Sequence, residues 1–284
     1  MIIAVVGPTG VGKTKLSVAL AKKYNGIIIN ADAMQVYQKM NIGTAKITEQ
    51  EKEGIPHYLF DIVPVDYNYT VFEYQKDARK LIEENRNKNI IFVGGTGLYL
   101  KSALYDYRFK EEEKTTELYE NLTNEELYTK ALQKDKNMNI HVNNRKRLIR
   151  FLNKENTDQI PCKPIYDVIY VGLTTDRETL YNRINNRVDE MFATGLEEEV
   201  KELISYSPKS KALNTAIGYK ELLDYFANKI TLEEAKELIK KNSRHYAKRQ
   251  YTWFNNQMDV EWFSVNFKDF NKTIEEVIEF IDKR

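Results

Sequence analysis

The residues best suited to chemistry stand near the start of the chain, in the run Gly7-Pro8-Thr9-Gly10-Val11-Gly12-Lys13-Thr14. This run matches the phosphate-binding pattern G-x-x-x-x-G-K-[ST] in full. Its glycines allow backbone N–H groups to turn towards phosphate oxygens, and a helix that starts at its end adds partial positive charge. Lys13 can reach the phosphates, and the Thr14 hydroxyl can bind Mg²⁺. The run therefore predicts a phosphate cradle that works with a magnesium ion.

An ordinary glycine-rich turn is the alternative to a cradle. The context favours the cradle, because an apolar run at residues 2–6 precedes the pattern and an amphipathic stretch at residues 14–24 follows it. A cradle indicates phosphate binding without indicating a reaction, since small kinases, ATPases and group transferases all use one.

Two further apolar runs also end in residues that could serve a site. Ligands of open α/β sheets lie outside the carboxyl ends of the strands, which makes these positions candidates. Asp32 follows the run at residues 27–29, where it could hold Mg²⁺, accept a proton from a nucleophile or cap a helix. The segment Gly94-Gly95-Thr96-Gly97 follows the run at residues 89–93, and it suits either a close backbone approach or a tight turn.

Arg183 and Arg187 are four residues apart, so they share one face of a helix. Paired guanidinium groups suit a diphosphate leaving group. The alternative is a solvated basic edge that pairs with Asp189 or Glu190.

Two basic segments have the composition of an RNA-binding surface. Residues 136–154 contain six Lys or Arg residues and neither Asp nor Glu. A second set has a spacing of four and leads into an aromatic segment; it comprises Lys236, Lys240, Arg244 and Lys248, followed by Trp253 and Phe254. Positive charge beside aromatic rings is typical of surfaces that bind RNA phosphates and unpaired bases. Either set alone is more often a solvated helix face, but the presence of both favours RNA binding.

The elements that must position these residues alternate between strand and helix, which predicts an α/β fold of the P-loop NTPase type. The predicted strands are residues 2–6, 27–29, 89–93, 168–172 and 260–263. We predict one long helix over residues 178–205, a helix from the capping pair Thr231 and Glu234 to about Asn255, and a final helix capped by Thr273 and Glu276.

Residues 110–164 break this alternation. They contain the acidic run Glu111 to Glu113 and a capping-box pattern at Thr123 and Glu126, and they have no strong strand. We predict a helical insertion there, with the catalytic core formed by residues 1–109 and 165–284.

Composition bounds the remaining possibilities. Apolar residues make up 42% of the chain, charged residues 30%, and the formal net charge is +1. No apolar run approaches the length of a membrane span. The single cysteine, Cys162, excludes an internal disulfide and a cysteine-based zinc cluster. We expect a soluble, cytoplasmic monomer.

The order and spacing of the motifs resemble those of the bacterial tRNA dimethylallyltransferases over nearly the whole chain. Besides the cradle run, the matching segments are Asp32-Ala33-Met34-Gln35-Val36-Tyr37, Asn41-Ile42-Gly43-Thr44-Ala45-Lys46, Gly54-Ile55-Pro56-His57-Tyr58-Leu59, Gly94-Gly95-Thr96-Gly97-Leu98-Tyr99-Leu100-Lys101, Arg183 with Arg187, Gly195-Leu196, Glu199-Val200, Ala216-Ile217-Gly218-Tyr219-Lys220-Glu221 and Lys248-Arg249-Gln250-Tyr251-Thr252-Trp253-Phe254.

The chain departs from the family pattern at a few positions. Ala33 stands where the family usually has serine, and Ile47 stands where it has proline. The segment His141-Val142-Asn143-Asn144-Arg145 replaces His-Pro-Asn-Asp-Pro, and Arg150-Phe151-Leu152-Asn153 replaces Arg-Ala-Leu-Glu. These changes bear on the details of tRNA contact and not on the reaction.

The resemblance implies that the chain transfers a dimethylallyl group from dimethylallyl diphosphate to the exocyclic amine of the adenosine 3′ of the anticodon in tRNA. It implies that the cradle residues Gly7 to Thr14, with Arg183 and Arg187, hold the diphosphate, and that Thr14 and Asp32 hold Mg²⁺. Asp32, Lys13, Thr14 and Arg187 would be catalytic, with Asp32 as the proton acceptor. The implied contacts to the tRNA anticodon stem-loop are Asp32, Ala33, Met34, Gln35, Thr96, Arg147, Ile149, Arg150, Gly218, Tyr219, Lys220, Lys248, Arg249, Gln250 and Trp253.

Two other functions stay open on the sequence alone. A small-molecule kinase would share the cradle, but it would need ATP and would have no use for RNA-binding surfaces. A non-catalytic RNA-binding protein would not need Lys13, Thr14 and Asp32 together.

Overall fold

Six short strands form one parallel sheet in the computed structural model, which describes residues 1–109, 119, 121–153 and 162–284. The strands are β1 (Ile2–Val6), β2 (Gly26–Asn30), β3 (His57–Tyr58), β4 (Asn89–Val93), β5 (Val168–Thr174) and β6 (Glu261–Ser264). Their order across the sheet is β3-β2-β4-β1-β5-β6. The predicted α/β fold is confirmed. Strand β3 was not predicted, because two residues are too few for a periodic pattern.

Strand β1 lies at the centre of the sheet, and its four residues from Ile3 to Val6 are buried. It pairs with β4 on one side, where Val5 lies beside Val93, and with β5 on the other, where Val6 lies beside Gly172. Because the strands are parallel, β1, β2 and β4 all end at the same edge. This arrangement brings the cradle, Asp32 and Gly94 to one side of the sheet.

The helices are α1 (Lys13–Lys23), α2 (Glu49–Lys52), α3 (Val71–Glu84), α4 (Gly97–Leu104), α5 (Asn124–Lys134), α6 (Arg145–Asn153), α7 (Arg177–Ala193), α8 (Leu196–Tyr206), α9 (Lys211–Thr215), α10 (Tyr219–Phe226), α11 (Leu232–Gln257) and α12 (Phe270–Asp282). The capping box of Thr231 and Glu234 starts α11 as predicted.

Two helix predictions were wrong. The long helix predicted over residues 178–205 is two helices, because Gly195 adopts φ +102° and separates α7 from α8. The last helix starts at Phe270 and not at Thr273. The Thr273 hydroxyl lies inside α12 and accepts the backbone N–H of Asn266 at 2.9 Å.

The described residues divide into two compact units, Met1–Tyr107 with Pro164–Arg284, and Arg108–Lys163. The smaller unit contains α5 and α6, packed on the buried residues Leu127, Ala131, Met138 and Leu148. The capping box of Thr123 and Glu126 starts α5 as predicted. The predicted acidic run Glu111 to Glu113 and the basic residue Lys154 lie outside the described residues.

Across the part of the chain that the structure describes, no helix is both long enough and apolar enough to cross a membrane.

Candidate functional site

The loop between β1 and α1 forms a cradle at the carboxyl edge of the sheet. Gly10 and Gly12 have φ of +86° and +92°, a region that side chains disfavour. Gly12 occupies the N-cap position of α1, so the first N–H groups of this helix face the cradle. Fixed N–H groups and the helix dipole together can hold an anion, and phosphate binding by this loop stays a prediction.

Lys13 is half-buried, and its ammonium donates a hydrogen bond to the backbone oxygen of Pro8 at 2.7 Å. Burial lowers the pKa of Lys13 to about 7; the Asp32 carboxylate opposes this shift and the Arg187 guanidinium adds to it. A bound anion would restore the charge on Lys13. Thr14 follows at the first turn of α1 and is exposed to the same space.

A cavity of about 710 Å³ lies beside the cradle. Most of the predicted site residues line it: Thr9, Gly10, Gly12, Lys13, Thr14, Asp32, Ala33, Met34, Gln35, Thr96, Arg183, Arg187, Gly218, Lys220, Arg249 and Gln250. The fold thus gathers residues from six separate sequence motifs around one space. Their individual roles stay predictions.

Asp32 stands just past β2 in a tightly held turn. Its Oδ1 accepts the backbone N–H of Met34 at 2.9 Å, so one carboxylate oxygen caps the turn. The buried Asn30 side chain accepts the Asp32 N–H at 2.8 Å and donates to the Asp32 carbonyl oxygen at 3.0 Å. Asp32 and Lys13 line the same cavity, and the Asp32 carboxylate opposes the lowering of the Lys13 pKa by burial. Capping and a role in the site are therefore compatible.

The glycine-rich segment past β4 serves close packing. An added Cβ at Gly94 would lie 2.2 Å from the backbone of Ala31, and one at Gly95 would lie 1.9 Å from the Gln250 side chain. Neither glycine has a positive φ. Thr96 Oγ1 accepts the Ala33 N–H at 3.0 Å, which fixes the turn after Asp32. Gly94 therefore allows a close approach of the Ala31 backbone, and Gly95 leaves room for the Gln250 side chain.

Both predicted arginines contact the cradle. Arg183 donates from Nε to the Gly10 carbonyl oxygen at 2.9 Å, and its guanidinium lies 3.9 Å from the centre of the Phe267 ring. Arg187 donates from Nη1 to Thr9 Oγ1 at 3.1 Å. Burial lowers the pKa of Arg187, and the Asp32 carboxylate opposes the shift. The alternative pairing does not apply to Asp189, which binds Lys240 at 2.8 Å.

The structure gives four predicted tRNA contacts a packing role. Tyr219 is fully buried, and Gln250 is 4% exposed. Gln250 accepts the Thr9 N–H and donates to the Gly95 oxygen, each at 3.1 Å. An added Cβ at Gly97 would lie 1.9 Å from the half-buried Trp253 ring, so this ring fills the space between α11 and α4. Ile149 packs on the core of the smaller unit. Tyr219 and Gln250 are therefore too buried to form part of an exposed RNA surface, although Gln250 lines the cavity. Their predicted contacts with tRNA stay predictions.

Three of the four basic residues in the set on α11 have partners within the protein. Lys236 binds Glu233 at 3.4 Å, and Lys240 binds both Asp189 at 2.8 Å and Glu237 at 3.4 Å. Arg244 donates to Asn185 Oδ1 at 2.6 Å. Lys248 is exposed and is not among the residues that line the cavity. Lys240 and Arg244 therefore join α11 to α7, and the alternative of an ordinary helix face describes the three paired cations better than an RNA surface. The predicted tRNA contact of Lys248 stays a prediction.

Sequence reasoning identified only Gln250 in a second stripe on the same helix and missed its other three residues. Ile239, Ser243, Tyr246 and Gln250 lie on one face of α11 and line the cavity. Burial, followed by the Asp32 carboxylate, raises the pKa of Tyr246 to about 12, so this hydroxyl stays protonated. The helical spacing of these four residues is visible in the sequence, but it does not show that this face of α11 lines a cavity.

Magnesium fits the residues at the cradle. The described residues include no cluster of three or more His, Cys, Asp or Glu side chains that could hold a metal ion alone. Mg²⁺ usually keeps several waters and binds through one or two protein oxygens together with substrate phosphates. The Thr14 hydroxyl and the second oxygen of Asp32 could supply those protein ligands.

The chain is similar to known proteins over nearly its whole length. The family model described as IPP transferase matches residues 35–257. A tRNA dimethylallyltransferase of Macrococcus caseolyticus is 45% identical, over 99% of this chain and 94% of its own. The tRNA delta(2)-isopentenylpyrophosphate transferase structure from Staphylococcus epidermidis has a TM-score of 0.77 at 42% identity, covering 100% of this chain and 99% of that one. The structure of a eukaryotic dimethylallyltransferase acting on tRNA has a TM-score of 0.82 at 29% identity, covering 100% of this chain and 80% of that one.

Proposed function

This chain belongs to the IPP transferase family, and from that premise we propose that it prenylates tRNA. The donor is dimethylallyl diphosphate, and the acceptor is the exocyclic amine of the adenosine 3′ of the anticodon. The observation that carries the proposal is the placement of the cradle, Asp32 and both arginines around one cavity. This placement joins an anion site to a carboxylate that can accept a proton.

The cradle side of the cavity suits the leaving diphosphate. As the amine nitrogen bonds to the allylic carbon, the carbon–oxygen bond breaks and its electron pair leaves with the diphosphate. Lys13, Arg187 and the N–H groups at the start of α1 can stabilise this growing charge. Magnesium bound to Thr14 and Asp32, which we also propose, would neutralise part of the same charge.

The Asp32 side of the cavity suits the acceptor. The exocyclic amine is a weak nucleophile, because its lone pair is delocalised into the purine, so holding it against the allylic carbon matters greatly. Asp32 can take the proton that the amine loses. The adenine must leave the stack of the anticodon loop to reach this position. A cavity of about 710 Å³ can take a base together with a small diphosphate.

The tRNA is the proposed macromolecular partner, and a monomer in the cytoplasm is the proposed working state. Support for tRNA binding comes from Lys146 and Arg147, which are exposed on α6. In the described part of the chain, neither has a carboxylate partner. Exposed cations of this kind attract a polyanion without selecting its sequence.

One assay tests the function and its alternative. Labelled dimethylallyl diphosphate, Mg²⁺ and an unmodified anticodon stem-loop should give a labelled adenosine that depends on all three. ATP in a parallel reaction should leave no phosphorylated product. ATP turnover without transfer of the label would support the small-molecule kinase instead, which the named relatives do not favour.

A further inference from the structure

A carboxylate outside the proposed chemistry holds one wall of the cavity. Glu199, on α8, accepts the backbone N–H groups of Asn41 at 2.9 Å and Ile42 at 2.8 Å through Oε2. Its Oε1 accepts the Gly43 N–H at 3.2 Å and the Tyr219 hydroxyl at 2.6 Å. Four donors from two separate segments therefore converge on one side chain.

This arrangement needs a charged acceptor. Consecutive backbone N–H groups that point to one spot form a concave site for an anion, and the carboxylate of Glu199 fills it. Burial, followed by Glu199, raises the pKa of Tyr219 well above its usual range, so the hydroxyl remains a donor. An added Cβ at Gly43 would lie 2.5 Å from the Tyr219 ring. The ring and its hydroxyl therefore both set the position of the loop.

The loop held in this way continues into the cavity. Gly43, Thr44 and Ala45 line it. Gln35 donates from Nε2 to the Thr44 oxygen at 3.0 Å, so the segment after Asp32 rests on the same loop. The cradle has separate supports, because Lys13 binds the Pro8 oxygen and Arg183 binds the Gly10 oxygen. The two sides of the cavity are held by different contacts.

We propose that Glu199 and Tyr219 are positioning residues for the acceptor base. They fix residues 41–45 as the wall against which the base is placed, and they leave the diphosphate side unaffected. This inference rests on the proposed transfer to tRNA. It also explains why Tyr219 belongs to a recognisable motif although its side chain is buried.

The test separates the two substrates. For Glu199→Gln, an amide N–H must face at least one of the four donors, so we expect the KM for an anticodon stem-loop to rise roughly 10- to 100-fold. For Tyr219→Phe, which keeps the ring, we expect a rise of roughly 3- to 10-fold. The KM for dimethylallyl diphosphate and the Kd for inorganic diphosphate with Mg²⁺ should change by less than about twofold.

Glu202→Gln is the matched control. It removes the same charge from α8 and breaks an exposed ion pair with Lys39, whose Nζ lies 3.1 Å from Glu202. It should change neither KM. Equal losses for both substrates in Glu199→Gln and Tyr219→Phe, or an unchanged stem-loop KM, would overturn the positioning role while the function stands. Failure of the unaltered protein to transfer the label would overturn the proposed function and this inference with it.

Discussion

The cations at the cradle are fixed by hydrogen bonds, whereas Lys146 and Arg147 of α6 are exposed to solvent. Lys13, Arg183 and Arg187 each donate to an atom of the cradle loop, at 2.7, 2.9 and 3.1 Å. Lys146 and Arg147 extend from α6 into solvent. A cation that stabilises the negative charge formed in a reaction acts best from a fixed position, because the site then does not have to rearrange during the reaction. A charge that only attracts a polyanion does not need one.

The α11 cations form a third case, which sharpens this difference. Lys236 and Lys240 bind carboxylates of α7 and α11, so little of their charge is available to a distant partner. Basic composition alone therefore does not identify a surface for nucleic acid. The partners of each cation decide its use.

The largest expected effect concerns Asp32, the anion among the fixed cations. Asp32→Asn keeps an oxygen that can accept the Met34 N–H but removes the proton acceptor, so the rate at saturating substrates should fall by roughly 100- to 10,000-fold. Stem-loop affinity should change little. Asp176→Asn is the control, because Asp176 likewise accepts a backbone N–H, from Thr179 at 2.8 Å, and does not line the cavity. A lost affinity with an unchanged rate would make Asp32 a binding residue.

The next largest effect concerns Lys13 and its neighbour Thr14. Lys13→Ala and Thr14→Ala should each lower the transfer rate at saturating donor by roughly 100- to 1000-fold, since each removes a stabiliser of the leaving diphosphate. Lys15→Ala is the matched control on the same helix. Lys15 lies over the Phe270 ring, 5.0 Å from its centre, and does not line the cavity. Near-normal rates in the first two variants would remove the contrast with α6.

The exposed cations of α6 should affect the salt dependence of stem-loop binding and not the transfer rate. Replacing Lys146 and Arg147 together by glutamine should weaken stem-loop binding and make the log–log salt dependence shallower by about one to two. The rate at saturating stem-loop should change little. The paired cations provide the control: Lys236→Gln with Lys240→Gln should leave the slope nearly unchanged and lower the free energy of unfolding by less than about 1 kcal/mol per ion pair lost. Equal slopes for both double variants would contradict the distinction.

The smallest expected effect is a pH dependence of anion binding. Lys13 has a pKa of about 7 without an anion, so it is mostly charged below pH 7 and mostly neutral above it. A diphosphate favours the charged form and raises the pKa, so binding above pH 7 takes up a proton. Affinity for inorganic diphosphate should fall by up to about tenfold per pH unit above 7.

Titration calorimetry in buffers of different ionisation enthalpy measures this proton uptake. Lys13→Met is the control, because titration of the diphosphate itself is common to both proteins. Identical proton uptake in the two proteins would show that Lys13 does not titrate on binding.

Features set by local sequence could be predicted, and features set by tertiary contacts could not. The cradle was predictable because its glycines, Lys13 and Thr14 are consecutive. Asp32 was predictable as a candidate because strand ends meet at one edge. The acceptors of Lys236 and Lys240 were not, since Asp189 lies on another helix. Gly195 was read as part of one helix, because a single glycine within a helical pattern does not show whether its φ will be positive.

The Glu199 contacts show the same limit more clearly. Glu199 belongs to a sequence motif, but the three backbone N–H groups that it accepts lie 156 to 158 positions earlier in the chain. Nothing in residues 41–43 themselves indicates that their N–H groups converge on a carboxylate. The buried Tyr219 likewise contacts residues distant in sequence, since its hydroxyl binds Glu199, 20 positions earlier, and its ring lies against Gly43.

The hydrogen bonds of Gln250 have a consequence for biosynthesis. Gln250 joins Thr9 to Gly95, and it follows Thr9 by 241 positions. Ribosomes add roughly 5 to 20 residues per second, so Gln250 is synthesised more than about ten seconds after Thr9. During that time the nascent chain has the phosphate-binding sequence without its final geometry. We therefore expect a ribosome-bound chain that lacks α11 to hold diphosphate poorly, and release from the ribosome to precede the first turnover.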